Sequence, residues 1–309
     1  MAKTSPVILF TYRRAENTEA ALRSLAACDM ASDTDIFIFS DAAKNESAQQ
    51  DVARVRRLIH AEEWERAFRS VRIEEAEQNK GLAKSVIYGV SKVFQSYDTV
   101  IVVEDDNVVS KDFLDFMNRA LEFYEDDPLV GHIGGYTMPI EFPADYTHDV
   151  YLMGRGSSYS WATWKKYWEQ VDWEVRDYDT FKDDVKQRKA FDAYGNNRSL
   201  LLDAQMKGTI DSWAIRFSYY MFKNNLYAIL PVKTRVVNSG FGEKSTHNTG
   251  VDQRYVSHFD DKFTPVRMEH VSLDQRIVKA YAANLSIAPL PLRLIKKLKR
   301  VFQRAASNA

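Results

Sequence analysis

The chain has 309 residues, 45% of them hydrophobic and 28% charged, with a formal net charge of −1. Such a composition excludes disorder and the fibrous classes, and the near balance of charge excludes a nucleic-acid binder acting through its whole surface. Cys28 is the only cysteine, so no internal disulfide and no cysteine zinc cluster can form, and a reducing compartment is expected.

The opening MAKTSPVILFTYRR has too short an apolar run for a signal peptide, and no window approaches a membrane span. A soluble, cytoplasmic protein is therefore expected. Val7 to Tyr12 reads as a buried strand and Glu16 to Ala27 as a helix packing through Ala20, Leu22 and Leu25. Asp35 to Ser40 reads as a second strand, ending at Asp41, and Val52, Val55, Leu58 and Ile59 then fall at helical spacing. Val71 to Glu75 forms a third strand, and the helix from Gly81 to Tyr97 carries Val86, Val90, Val93 and Phe94 on one face. A fourth strand, VIVVEDDNVV from Val100, precedes a helix from Lys111 to Tyr124. This alternation is the signature of a doubly wound α/β sheet, whose ligands sit beyond the carboxyl ends of the strands. Arg13, Asp41 and the Glu104-Asp105-Asp106 run all fall there.

After Gly131 the text becomes rich in glycine and aromatics, with Trp161, Trp164, Trp168 and Trp173 crowded together. Trp161, Trp164 and Trp213 are read as part core and part sugar platform, because aromatic faces suit both. Beyond a polar helical stretch to about Lys207 come GTIDSWAIRFSYYMF, a strand-like run LYAILPVKTRVVN and the loop SGFGEKSTHNTG. From Pro289 the tail sets Leu294, Ile295, Leu298, Val301 and Phe302 among six lysines and arginines, with no acid after Asp274. A basic amphipathic helix of this kind suits an anionic lipid surface, and a solvated or partner-docked helix is the competing reading. Three stretches are expected: 1–137 and 138–285 sharing one continuous core, then the tail, 286–309.

Three adjacent carboxylates repel one another unless a cation meets them. On strand periodicity Glu104 and Asp106 share one face and Asp105 takes the other. A hard cation, Mg²⁺ or Mn²⁺, would take carboxylate and diphosphate oxygens together, which suits this sparse donor set. A turn-capping cluster is the alternative. Asp211, in TIDSWAI, is either a catalytic base or a helix N-cap, with Ser212 competing for the cap and Asp203 as a second candidate base.

The segment VIVVEDDNVVSKDFLDFMNRALEFYEDDPLVGHIGGY resembles the metal-binding segment of GT-A glycosyltransferases, most closely those like N-acetylglucosaminyltransferase I, with EDD as the form of their DXD motif. VILFTYRR, FIFSDAAKN and NKGLAKSV agree, over roughly residues 5 to 137, with weaker echoes to 250. The resemblance implies a Rossmann-like GT-A sheet with an acceptor-side α+β half, and a metal-dependent, inverting transfer from a UDP-sugar to a glycan; the basic tail is the reason to expect a lipid-linked or cell-surface acceptor. The resemblance also implies that Arg13 contacts the diphosphate or ribose, Asp41 the uracil, and Glu104 and Asp105 the nucleoside. It places Lys80 at the nucleotide-sugar, Asp106 on the Mn²⁺ or Mg²⁺, and Asp211 as the base, while the glycine-bearing loop Asn238 to Gly250 itself offers His247 to the nucleotide-sugar as a ligand or phosphate donor. The setting the resemblance suggests is the inner face of a cell membrane. A sugar-phosphate nucleotidyltransferase shares the sheet type, but TYRRAENTEA lacks the glycine-rich phosphate loop such an enzyme needs after its first strand. A binding protein of this fold without turnover is the remaining alternative.

Overall fold

The computed structural model describes residues 4–239 and 265–285. Runs of β-branched and aromatic residues build the strands β1 (Val7–Thr11), β2 (Asp35–Ser40), β3 (Ser70–Glu75) and β4 (Thr99–Glu104). The helices between them are α1 (Ala15–Ala26), α2 (Glu46–Ile59), α3 (Glu62–Ala67) and α4 (Leu82–Val93), each burying one apolar stripe. Then follow β5 (Asn107–Val109), α5 (Phe113–Phe123), β6 (Val130–Gly134), β7 (Val150–Met153) and β8 (Trp161–Trp164). Short helices α6 (Lys165–Trp168), α7 (Tyr178–Asp183), α8 (Val185–Phe191) and α9 (Arg198–Met206) lead to α10 (Trp213–Lys223). Strands β9 (Tyr227–Pro231) and β10 (Val236–Asn238) and the helix α11 (Gln275–Leu285) complete the described elements.

Eight strands form one mixed sheet in the order β3-β2-β1-β4-β8-β6-β9-β7. The first four are parallel, β8 runs antiparallel to both β4 and β6, and β9 is parallel to β6. The chain leaves β1 toward β2 and β3, then returns through α4 to pair β4 with the other side of β1. Strand order thus reverses at β1, which opens a crevice at the carboxyl ends of β1, β2 and β4. A single apolar cluster runs from Val7 and Val103 through Trp161 to Ile229, so the parallel and antiparallel parts share one core. A smaller cluster around Phe181, Phe191, Leu202 and Tyr219 holds α7 to α10 together.

Two expectations change. The run from Leu226 to Asn238 is two strands, because β9 ends at Pro231 and the chain turns so that Arg235 N–H reaches the Gly135 carbonyl at 2.8 Å. The acidic run does not continue strand alternation either. β4 ends at Glu104, Asp105 and Asp106 form a turn, and β5 leaves to pair with β10 as a separate antiparallel ribbon. No described helix is long and apolar enough to cross a membrane. The tail from 286 lies outside the described residues.

Candidate active site

A cavity of about 530 Å³ occupies the crevice, lined by residues from the ends of β1, β2 and β4, from the start of α4, and by Tyr159, Asp211 and Asn238. Arg13, Asp41, Lys80, Glu104, Asp105, Asp106 and Asp211 all line it. Its volume lies within the range, about 300–1,000 Å³, of sites that enclose a whole small molecule.

The floor is electrostatically loaded. Arg14, directly after β1, ion-pairs with Asp105 and reaches Asp106 at 3.0 Å. Burial works against the Arg14 charge, but the two aspartates outweigh it and hold the guanidinium above its usual value. Asp105 is 4% exposed; burial raises its carboxyl to about 6 although Arg14 opposes the rise. Glu104 still reaches the cavity, yet burial, followed by the charges of Asp106 and Asp105, pushes it well above the ordinary carboxylate range. One guanidinium therefore does not neutralise three acids. Asp106 takes Asn107 Nδ2 at 2.6 Å on its other oxygen, and its backbone carbonyl accepts from Ser239 N at 2.7 Å and Ser239 Oγ at 3.1 Å. The β5–β10 ribbon thus fixes the acidic turn from behind.

Asp41 is fully engaged. One carboxylate oxygen accepts from Ala42 N and Lys80 N at 2.9 Å each, and the other from Gly81 N at 3.0 Å and Asn79 Nδ2 at 2.9 Å. It holds the turn that leads into α4, where Gly81 sits at φ +76°, a left-handed conformation that glycine adopts without strain. Lys80 Nζ stands 3.6 Å from the centre of the Tyr88 ring, whose hydroxyl donates to Glu74 at 2.7 Å. Among the described residues Arg13, Lys44 and Lys80 have no acid within ion-pair distance, so three cations on the cavity wall lack an ion-pair partner there.

Asp211 is not the cap of α10. Ser212 fills that position, its Oγ accepting from Ile215 N at 3.3 Å. The Asp211 side chain is 52% exposed and lies against the start of α4, 3.3 Å from Ala83 N. Asp203 lines no part of the cavity; Arg188 pairs with it at 2.7 and 2.8 Å, Tyr178 donates at 3.0 Å, and Arg188 depresses its pKa.

The sugar-platform expectation for the tryptophans is corrected. Trp161, Trp164 and Trp213 are 0%, 2% and 3% exposed, and Trp161 stacks on Trp213 at 4.6 Å and on Trp168 at 5.6 Å. They close the core under β8 and α10, and Tyr159 is the aromatic that reaches the cavity from this part of the chain. Sequence reasoning assigned no role to Tyr159, Tyr88 or Arg14. His247, with Gly240, Gly242, Lys244 and Gly250 of the same loop, lies outside the described residues.

Among the described residues no three histidine, cysteine or acidic side chains surround one point as a metal cage. The donor chemistry fits a shared site instead. Asp106 supplies carboxylate oxygen beside a surplus of negative charge, and a hard cation of the Mg²⁺ type uses one or two carboxylates together with substrate phosphates and water.

No family model matches the sequence, and no curated protein does. Among solved structures, the chain is similar to the mannosyltransferase PcManGT from Pyrobaculum calidifontis in complex with GDP-Man and Mn²⁺, at 16% identity and a TM-score of 0.38, over 55% of this chain and 46% of that one. It is similar to S. aureus TarS at 13% identity and a TM-score of 0.42, over 75% of this chain and 36% of that one. It is also similar to TarS 1-349 in complex with UDP-GlcNAc, at 14% identity and a TM-score of 0.41, over 75% and 57%. The chain spans between about a third and three fifths of the length of these structures.

Proposed function

We propose that the protein is a glycosyltransferase that moves a sugar from a nucleotide-sugar, a UDP-sugar in the first instance, to a glycan acceptor with inversion at the anomeric carbon. The observation that carries this reading is the convergence, in one cavity at the switch point of the sheet, of a surplus of acid at the end of β4, three cations with no ion-pair partner among the described residues, and a half-exposed carboxylate at Asp211.

In this reading the nucleoside lies over the carboxyl ends of β1 and β2, beside the turn that Asp41 holds, and Arg13, Lys44 and Lys80 draw the diphosphate into place. Asp106, with Glu104 and Asp105 behind it, would hold Mg²⁺ or Mn²⁺, which supplies neutralisation of the departing diphosphate. Asp211 accepts the proton of the acceptor hydroxyl as that oxygen attacks the anomeric carbon and the bond to the diphosphate breaks. A lipid-linked acceptor follows from the basic tail, and its direct test is liposome sedimentation of the chain cut before Pro289.

The experiment is turnover of a nucleotide-sugar panel with Mn²⁺, with release of nucleoside diphosphate as the readout. The Asp106→Ala variant is expected to lose metal-dependent turnover by 10²-fold or more, on the order expected when a group that positions transition-state charge is removed. Retained turnover in Asp106→Ala with a chelator present, or pyrophosphate as the product, would overturn the reading.

A further inference from the structure

A second cavity, of about 190 Å³, lies between the 155–159 loop, α9, the start of α10 and α11. It is well below the roughly 300 Å³ at which whole-ligand sites begin, so it suits one chemical group of a larger molecule. Among the described residues no acidic side chain lines it. The charged residues described there are Arg155, whose Nη1 donates to Asn197 Oδ1 at 2.9 Å, and Arg198, and Ser157, Ser158 and Ser218 add hydroxyls.

Arg198 is the unusual member. It is 1% exposed, yet among the described residues no carboxylate stands within 4 Å of it. Its partners are neutral: Nη1 donates to the Phe191 carbonyl at 2.9 Å, and Nη2 to the Ser218 carbonyl and Oγ at 3.2 and 2.6 Å. The guanidinium lies 4.0 Å from the centre of the Phe191 ring, and among the described residues its Nε has no hydrogen-bond partner. Asp192, whose charge favours Arg198 from farther off, is occupied with Ser199 N at 2.8 Å. Burial first, and then the charge of Arg155, lowers the Arg198 pKa to about 9. A buried cation facing a second cation is costly unless a negative charge joins them. The first turn of α10 adds to the demand, since Ser212, Ala214 and Ile215 line the cavity and a helix N-terminus carries partial positive charge.

We infer that this cavity is an anion subsite that seats a phosphate group carried by the acceptor, held by Arg155 and Arg198 together with the serine hydroxyls. The acceptor side is assigned from position, and this part rests on the function proposed above. Tyr159 lines both cavities, and Asp211 of the first adjoins Ser212 of the second. A molecule anchored by its phosphate in the small cavity therefore has the candidate base beside it.

The test is titration of the metal-free full chain with inorganic phosphate and with glycerol 3-phosphate at constant ionic strength, followed by thermal shift. Binding gives a saturable rise in melting temperature, whereas exclusion of a kosmotropic salt from the surface gives an unsaturating one. The expected result is saturation by both probes, with half-saturation weakened at least tenfold in Arg155→Gln and in Arg198→Gln, and unchanged in Asp106→Ala. Arg155→Gln decides the matter should Arg198→Gln fail to fold. An unsaturating rise, the same curve in Arg155→Gln, or loss of the effect in Asp106→Ala overturns the subsite. Saturation by inorganic phosphate without saturation by glycerol 3-phosphate overturns the esterified ligand. Absence of nucleotide-sugar turnover in the unmodified protein removes the acceptor assignment, while the phosphate curves still judge the cavity.

Discussion

Replacing Arg14 by methionine isolates the charge problem at the end of β4. Arg14 makes two charge-assisted contacts, to Asp105 and, at 3.0 Å, to Asp106. At about 1.5–3 kcal/mol each these total about 3–6 kcal/mol before correction. Two effects reduce that figure. The Arg14 side chain is 18% exposed, so water partly compensates its loss, and the freed acids can take up protons. In the folded protein Asp105 already titrates near 6 and Glu104 higher still, whereas unfolded carboxylates titrate near about 4. Folded carboxyls with raised pKa values hold protons that the unfolded chain has released, so stability is full below about pH 4 and falls as pH rises through the folded values. Without Arg14 that fall steepens, by up to about 1.4 kcal/mol per pH unit for each proton involved. The expected loss for Arg14→Met is therefore about 2–4 kcal/mol at pH 8, shrinking below about 1 kcal/mol at pH 5. In a chain of this size the larger figure corresponds to a fall of about 4–8 °C in melting temperature. Differential scanning calorimetry at the two pH values measures it, and Mn²⁺ at pH 8 should raise the variant more than the unmodified protein, because the cation takes the place of the missing charge. A loss equal at both pH values and untouched by Mn²⁺ would show that Arg14 acts by packing alone and that the acids do not form one charge cluster.

Further outcomes follow from the same geometry. Asp211→Asn should keep nucleotide binding while transfer falls by about 10²–10⁴, the usual contribution of a positioned general base; stopped-flow binding and single-turnover transfer separate the two, and an active variant would move the base elsewhere. Asp41→Asn sets an amide N–H₂ against donors that now share its carboxylate, so a loss of about 1–3 kcal/mol and weaker nucleotide binding are expected by urea melts and calorimetry. Asp35 accepts from Arg69, Ser70 and Tyr97 at 2.5 to 2.9 Å, and Arg69 is the main cause of its depressed pKa. Its stabilisation is present above the unfolded carboxylate pKa, near 4, and is lost as pH falls toward the folded value. Asp35→Asn should thus lower the melting temperature more at pH 7 than near pH 2, and equal shifts at both would contradict the assignment.

The parallel half of the fold was readable because its information is local. Strands such as Val7–Thr11 are continuous β-branched and aromatic runs, and the helices between them repeat apolar residues every three or four positions. The gathering of Arg13, Asp41 and the acids in one crevice follows from strand polarity alone. Other features depended on partners distant in sequence. That Arg14, not Arg13, pairs with the acids depends on Asp105, ninety-one positions away from Arg14, and no periodicity records that. Trp161 and Trp213 were ambiguous because a large aromatic suits a core and a sugar face equally, and only their mutual stacking decides between the two. The bend after Glu104 was hidden because β5 takes its partner, β10, from well over a hundred residues downstream.

The pairing of β4 with β8 joins the two parts of the sheet through one ladder and one apolar interior. They should melt as a single cooperative unit. Ligands at either cavity would then raise the same melting transition, and their contributions to global stability would add even where no side chain connects the two sites.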